Sequence, residues 1–295
     1  MFDFRYHALS LAAVLFALAL GVVLGVAIGD SNLVSSAKNG IVANLNSEVS
    51  HARQQSSQLQ EKLTSEEAFA TGLYPLAVHE LLAGRTIGVL FLGASSNTVN
   101  TLVRNAVGEA GGEVSTVVAV REPLELAAIV REAADAHFAA LASSPGLLKS
   151  FGDLVGRQLV SGGALVDHEL ISRVRAGLLS AFDGQLTRLE GLVVMRAEPS
   201  GMSAQDSEAS AAFESGLLAG VAAAKVTAVG VELSSTEPSQ IPWYSGKGLS
   251  SVDDLESLAG QAALDYALAG DRGAFGTKST ADSLLPGVST SPSQP

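Results

Sequence analysis

Residues Thr86 to Asn97 read TIGVLFLGASSN. The first part, Thr86–Leu92, is a short apolar run rich in β-formers, and Gly93 bounds it. Ser95, Ser96 and Asn97 then offer capping side chains for a helix that reaches about Ala110. A strand that is apolar on both faces belongs in a sheet covered on both sides, because a sheet with one wet face alternates apolar and polar residues.

The same cadence recurs along the chain. Val114–Val120 reads as a second strand, and a helix from Leu124 to Ala136 follows Pro123. Phe138–Ala142 reads as a short strand leading into a helix through Leu159. Gly191–Arg196 (GLVVMR) and Val226–Leu233 (VTAVGVEL) are further strands, separated by an alanine-rich helix from about Gln205 to Ala224. A helix from about Asp254 to Ala269 closes the series. Strands alternating with helices imply an α/β fold: a three-layer, Rossmann-like domain with a mostly parallel sheet over residues 84–270. Residues 271–295, rich in glycine, serine and proline, read as a flexible tail whose last ten residues are disordered.

Two helical segments precede this domain. From Ala8 to Gly29 run 22 residues whose only polar side chain is Ser10, long enough to cross a hydrocarbon core of ~30 Å. Residues 1–30 therefore read as a single-pass anchor. Arg5 lies before the span and Asp30 is the first charge after it, which puts the amino terminus in the cytoplasm and the bulk of the chain outside the inner membrane. A cleaved signal peptide is the competing reading, with Ala27 and Gly29 as small residues before Asp30. Gly21, Gly25 and Gly29 fall on one helix face, where a second backbone can approach closely.

Over residues 31–72, Val42, Leu45, Val49, Ala52, Ser56, Leu59 and Leu63 step alternately by three and four, the a/d register of a coiled coil. Polar residues fill the positions between them. So narrow an apolar seam suits a second copy of the same helix, and a parallel homodimer through anchor and stalk is expected; an amphipathic helix lying on the following domain is the alternative. Gly72 and Pro75 punctuate the end of this stalk.

Composition removes several functions. A net charge of −12 over 295 residues disfavours nucleic acid as a partner, since phosphate backbones are bound by basic faces. The chain has no cysteine, hence neither disulfides nor a thiolate site. The turn Gly93–Asn97 lacks both G-x-G-x-x-G and G-K-[ST], so no phosphate loop is read there. Neither G-x-S-x-G nor H-E-x-x-H occurs, and His7, His51, His79, His137 and His168 are scattered. Asp253 and Asp254 read as helix caps. The expectation is a protein that is not an enzyme and has no cofactor.

Three stretches carry a resemblance. The opening FRYHALSLAAVLFALALGVVLG, the heptad stalk before RTIGVLFLG, and the late GLSSVDDLESLAGQAALDYALAGDRGAFG followed by SLLPG resemble the copper transporter MctB family of actinobacterial envelope proteins. The likeness is collinear over residues 1–287, specific at both ends and loose in the middle. It implies a membrane-anchored protein of copper transport or homeostasis, described as an outer-membrane channel. Related proteins, also called SteB, are linked to cell separation, where a membrane partner, SteA, acts with them to control a peptidoglycan hydrolase.

The residues themselves bear on that inheritance. Copper(I) prefers sulfur ligands, and the chain offers only Met1, Met195 and Met202. A membrane barrel needs many alternating strands with aromatic girdles, whereas 5% of the residues are aromatic and the strands alternate with helices. Two functions stay open: a copper transport or homeostasis component, and a dimeric scaffold that binds an envelope protein partner in cell separation.

Overall fold

The computed structural model describes residues 4–29, 31–133, 138–162, 169–197 and 200–287. The chain divides into two compact units, Met1–Ala68 and Phe69–Pro295. In the first, α1 (Phe4–Ile28) is an apolar helix with no buried residues over Arg5–Ala27. The second helix, α2 (Ser31–Val78), begins in this unit and carries the heptad positions.

The α/β unit opens with the last turns of α2, followed by β1 (Thr86–Gly93), α3 (Asn97–Glu109), β2 (Glu113–Val120) and α4 (Leu126–Ala133). Next come α5 (Pro145–Ser161), α6 (Glu169–Leu178), β3 (Leu179–Gly184) and β4 (Gly191–Ala197). The chain continues through α7 (Ala204–Ala223), β5 (Thr227–Val231), α8 (Ile241–Gly246), β6 (Ser250–Val252), α9 (Leu258–Ala269) and β7 (Ala274–Phe275). The described strands form one sheet in the order β3-β2-β1-β4-β5-β6-β7, parallel throughout except for β3, which pairs antiparallel to β2.

The sheet is covered on both faces, as the apolar run Thr86–Leu92 demands. Ile87, Val89 and Phe91 of β1 pack with Val103 and Val107 of α3 and Leu264 and Leu268 of α9. Leu90 and Leu92 point the other way, into a core shared with Phe151 of α5, Val174 of α6, Phe213 and Leu217 of α7, and Tyr244 of α8. Every buried apolar side chain on either face is removed from water at roughly 25 cal/mol per Å², which makes these two cores the main stabilising term.

Helices α5 and α7 approach most closely through glycine. A Cβ on Gly152 would strike Phe213 O, and one on Gly156 would strike Leu217 O. From the other side, a Cβ on Gly216 or Gly220 would strike Lys149 O or Asp153 O. Two glycine pairs at four-residue spacing therefore meet face to face, where only hydrogen fits between the backbones.

Several expectations are corrected. Gly72 and Pro75 do not end the second helix, which runs on to Val78. An interior proline costs about 3 kcal/mol, but the last turns gain burial of Val78 and a hydrogen bond from Tyr266 Oη to Ala77 O at 2.9 Å. Phe138–Ala142 is turn and 3-10 helix rather than strand, and Phe138 packs edge-on against Phe151 at 5.3 Å. The last helix starts at Leu258, not Asp254, because Ser257 is its cap and accepts from Gly260 N at 2.8 Å. Residues 271–287 are not a free tail: β7 extends the sheet there, and Lys278 is mostly buried. The final residues, 288–295, lie outside the described segments.

Candidate functional site

In this sheet the strand order turns back between β1 and β4, and in open parallel sheets ligands bind in the crevice that such a reversal leaves at the carboxyl ends of the strands. Gly93 closes β1 at φ 96, and a Cβ there would collide with Ala197 O. The following turn is a helix cap: Ser96 Oγ accepts from Val99 N at 3.3 Å.

Several of the protein's own side chains meet at these strand ends. Arg196, near the end of β4, donates from Nε to Glu214 Oε1 at 3.1 Å and from Nη1 to Gln240 Oε1 at 2.9 Å. Its guanidinium also lies 4.9 Å from the centroid of the Trp243 ring. The Arg196 and Glu214 side chains are only 11% and 1% exposed. Burial raises the Glu214 carboxyl, and Arg196 opposes that rise. Glu122, just beyond β2, acts on the Glu214 carboxyl as well.

A second cluster lies at the ends of β5 and β6. Glu232 receives Lys278 Nζ at 2.7 Å and Ser239 Oγ at 2.7 Å, and Lys278 Nζ also donates to Thr236 O at 2.8 Å. Asp253 accepts from Thr277 N at 2.8 Å and Lys278 N at 3.0 Å, so it holds the segment after β7 rather than capping a helix. Asp254 instead accepts from Ser257 Oγ at 2.8 Å, and burial raises its carboxyl. Tyr244 Oη accepts from Arg196 N at 2.9 Å and donates to Val231 O at 3.0 Å. These interactions tie together three strand ends, α7, α8 and the chain after β7. Most of their polar atoms pair with one another, which makes the strand ends a structural lock; Glu214 Oε2 and Asp254 Oδ1 have no hydrogen-bond partner among the described residues.

The residues singled out in the sequence lie elsewhere. Gly21 and Gly25 lie on α1 with nothing within 4 Å of an added Cβ, and Gly29 follows just after the helix. Val42, Leu45, Val49, Leu59 and Leu63 are 46–61% exposed along α2, and Ala52 and Ser56 are exposed with them. Among the described residues no three of His, Asp and Glu converge as a metal site. His7, His51 and His79 are exposed; His137 and His168, like Met1 and Asp30, lie outside the described residues. Met195 is half-buried on β4.

Sequence reasoning missed the lock altogether. In the sequence Arg196 is only the last residue of a strand pattern, and Glu214 is part of an alanine-rich helix. The one visible signal is IPWYSGK (Ile241–Lys247), which holds the sole tryptophan of the chain.

An apolar amino-terminal helix, a long second helix and a mostly parallel α/β sheet define the class. Residues 1–286 match the family described as "Copper transport outer membrane protein, MctB", and the chain belongs to that family. It is also similar to the proteins named Copper transporter MctB of Mycobacterium bovis and Mycobacterium tuberculosis, at 32% identity over 122 residues. That match covers 41% of this chain and 38% of the length of each relative.

Proposed function

We propose that this chain is a single-pass envelope protein of copper transport or homeostasis that acts without catalysis, through protein contacts. The family match over residues 1–286 carries this reading, and the relatives' name supplies the copper connection. In it, α1 anchors the chain with its amino terminus in the cytoplasm, and α2 pairs with a second copy along the seam Val42–Leu63. A Rossmann-like domain outside the inner membrane then presents its surface to partners. The strand order and the two-sided covering support that description of the domain. The lock at the strand ends favours protein contact over chemistry, because most of its polar groups engage one another.

The test is deletion of the gene in its own host. Whole-cell copper is measured by mass spectrometry and growth is followed across graded copper. Copper accumulation and sensitivity are expected, reversed by the full chain and not by a version lacking residues 1–30. Unchanged copper content and tolerance would refute the reading.

One observation favours a second reading, a cell-separation scaffold. The apolar seam residues of α2 are about half exposed at regular spacing, as a protein-binding face requires. Filamentation or chaining of the deletion strain at low copper, with a membrane partner recovered by cross-linking, would support it. Normal septation would sink it.

A further inference from the structure

A cavity of about 410 Å³ opens at the edge of the sheet opposite the lock, where β5 and β6 begin. Three helix ends surround it: Lys225 follows α7, Lys247 caps α8, and Asp271 and Arg272 follow α9. Thr227 and Ser250 add hydroxyl-bearing residues to its wall.

A cation at a helix carboxyl end has a local explanation, since it faces the negative end of the helix dipole. That accounts for each cation separately and not for the balance of charge. Half a negative charge at each of the two long helix ends, together with the Asp271 carboxylate, offsets two of the three cations. About one positive charge is left over, in a chain whose net charge is −12. Lys225 and Arg272 are exposed, and among the described residues neither has a carboxylate at ion-pair distance. Lys247 is tethered instead, with Nζ donating to Ser215 Oγ and lying 5.5 Å from the Trp243 ring centroid.

The backbone at the rim points the same way. Lys225 sits at φ 58, in the left-handed region that normally takes glycine after a helix and costs a side-chain residue on the order of 1 kcal/mol. Gly270, at φ 131, has nothing within 4 Å of an added Cβ, so the wall there is bare backbone open to the cavity. The volume lies within the range of small-molecule sites, roughly 300–1,000 Å³.

We infer that this cavity binds one phosphate group of a small molecule or a lipid headgroup, held between the Lys225 ammonium and the Arg272 guanidinium. Arg272 offers the planar fork that matches phosphate oxygens, and Lys225 adds a point charge. A surplus of a single charge suits one phosphate group and not a long polyanion, which the acidic remainder of the chain repels.

The test uses the full chain in uncharged detergent micelles at constant ionic strength. Inorganic phosphate and dihexanoyl phosphatidate are titrated separately by calorimetry. Saturable binding is expected, weakened at least tenfold in the K225Q/R272Q double variant and unchanged in a control with Lys149→Gln on α5. Binding of both probes identifies a free phosphate group as sufficient; binding of the phosphatidate alone assigns the site to a headgroup. Both results support the inference only if K225Q/R272Q weakens them. Because Lys225 and Arg272 also face helix dipoles, the melting midpoint of the double variant is measured without ligand, and a single Arg272→Gln variant stands in if it unfolds. Absence of saturable binding of either probe, or equal affinity in the charge-removed variant, would overturn the inference.

Discussion

Asp265 should make the stability of the α/β unit depend on pH in a direction opposite to that of an ordinary salt-bridged carboxylate. It is fully buried on α9; Oδ2 accepts from Tyr74 Oη at 3.3 Å, while Oδ1 has no hydrogen-bond partner among the described residues. Burial, opposed by the Tyr74 hydrogen bond, pushes its carboxyl up to about 7. Other ionisable groups stand nearby. Glu109 of α3 acts on Tyr74, Arg85 Nη1 binds Leu268 O at 2.9 Å, and Tyr266 binds Ala77 O.

In the unfolded chain Asp265 titrates near 4. Between about pH 4 and about pH 7 the folded chain therefore holds a proton that the unfolded chain has released, so stability falls as pH rises through that window and levels off above it. At about 1.4 kcal/mol per pH unit, the interval amounts to at most on the order of 4 kcal/mol. Asp265→Asn keeps the shape and an acceptor for Tyr74 and removes the titration. Urea unfolding, followed by the fluorescence of Trp243 at pH 5 and pH 8, isolates the effect as a difference between the two proteins. The native chain should lose about 2–3 kcal/mol more than the variant on going to pH 8, and the variant should be the more stable there. Parallel pH profiles for the two proteins would refute the reasoning.

Three further outcomes follow from particular contacts. Gly25→Leu should leave α1 helical, because nothing lies within 4 Å of the added Cβ, yet weaken self-association in membranes by cross-linking; unchanged association would mean the glycines meet no partner. Gly216→Ala should destabilise the α/β unit by about 2 kcal/mol or more in urea titration, because its methyl would collide with Lys149 O and push α5 from α7. Arg196→Ala should cost about 3–5 kcal/mol by leaving the Glu214 carboxyl, 1% exposed, without its cationic partner, and adding Glu214→Gln to it should recover much of the loss. Equal stability of the single and double variants would show that Arg196 acts through packing against Trp243 alone.

Periodicity made the frame legible. TIGVLFL could only be a buried strand, and Ser96 caps the helix after it as its position suggested. The apolar span before Asp30 and the two-faced strands at Val114, Gly191 and Val226 were equally plain, because each pattern depends on neighbours within a few residues. Composition misled where packing decided. Phe138–Ala142 is apolar enough for a strand, yet Phe138 is drawn against Phe151. Residues 274–278 look like linker between glycines, but an open edge of β6 and the buried Glu232 carboxylate give them partners.

By itself, then, the sequence determined an apolar amino-terminal helix, a helix with heptad spacing and an alternating α/β domain, since hydrophobic spacing and capping act locally along the chain. The tertiary structure alone decided how the strand ends are used. Arg196 and Glu214 lie 18 residues apart, and Glu232 and Lys278 lie 46 apart. No local pattern encodes such pairs; they exist because the sheet brings its carboxyl ends to one edge, where buried charges must find one another. The same geometry gathers Lys225, Lys247 and Arg272 at the opposite edge, where three helices end together around one cavity.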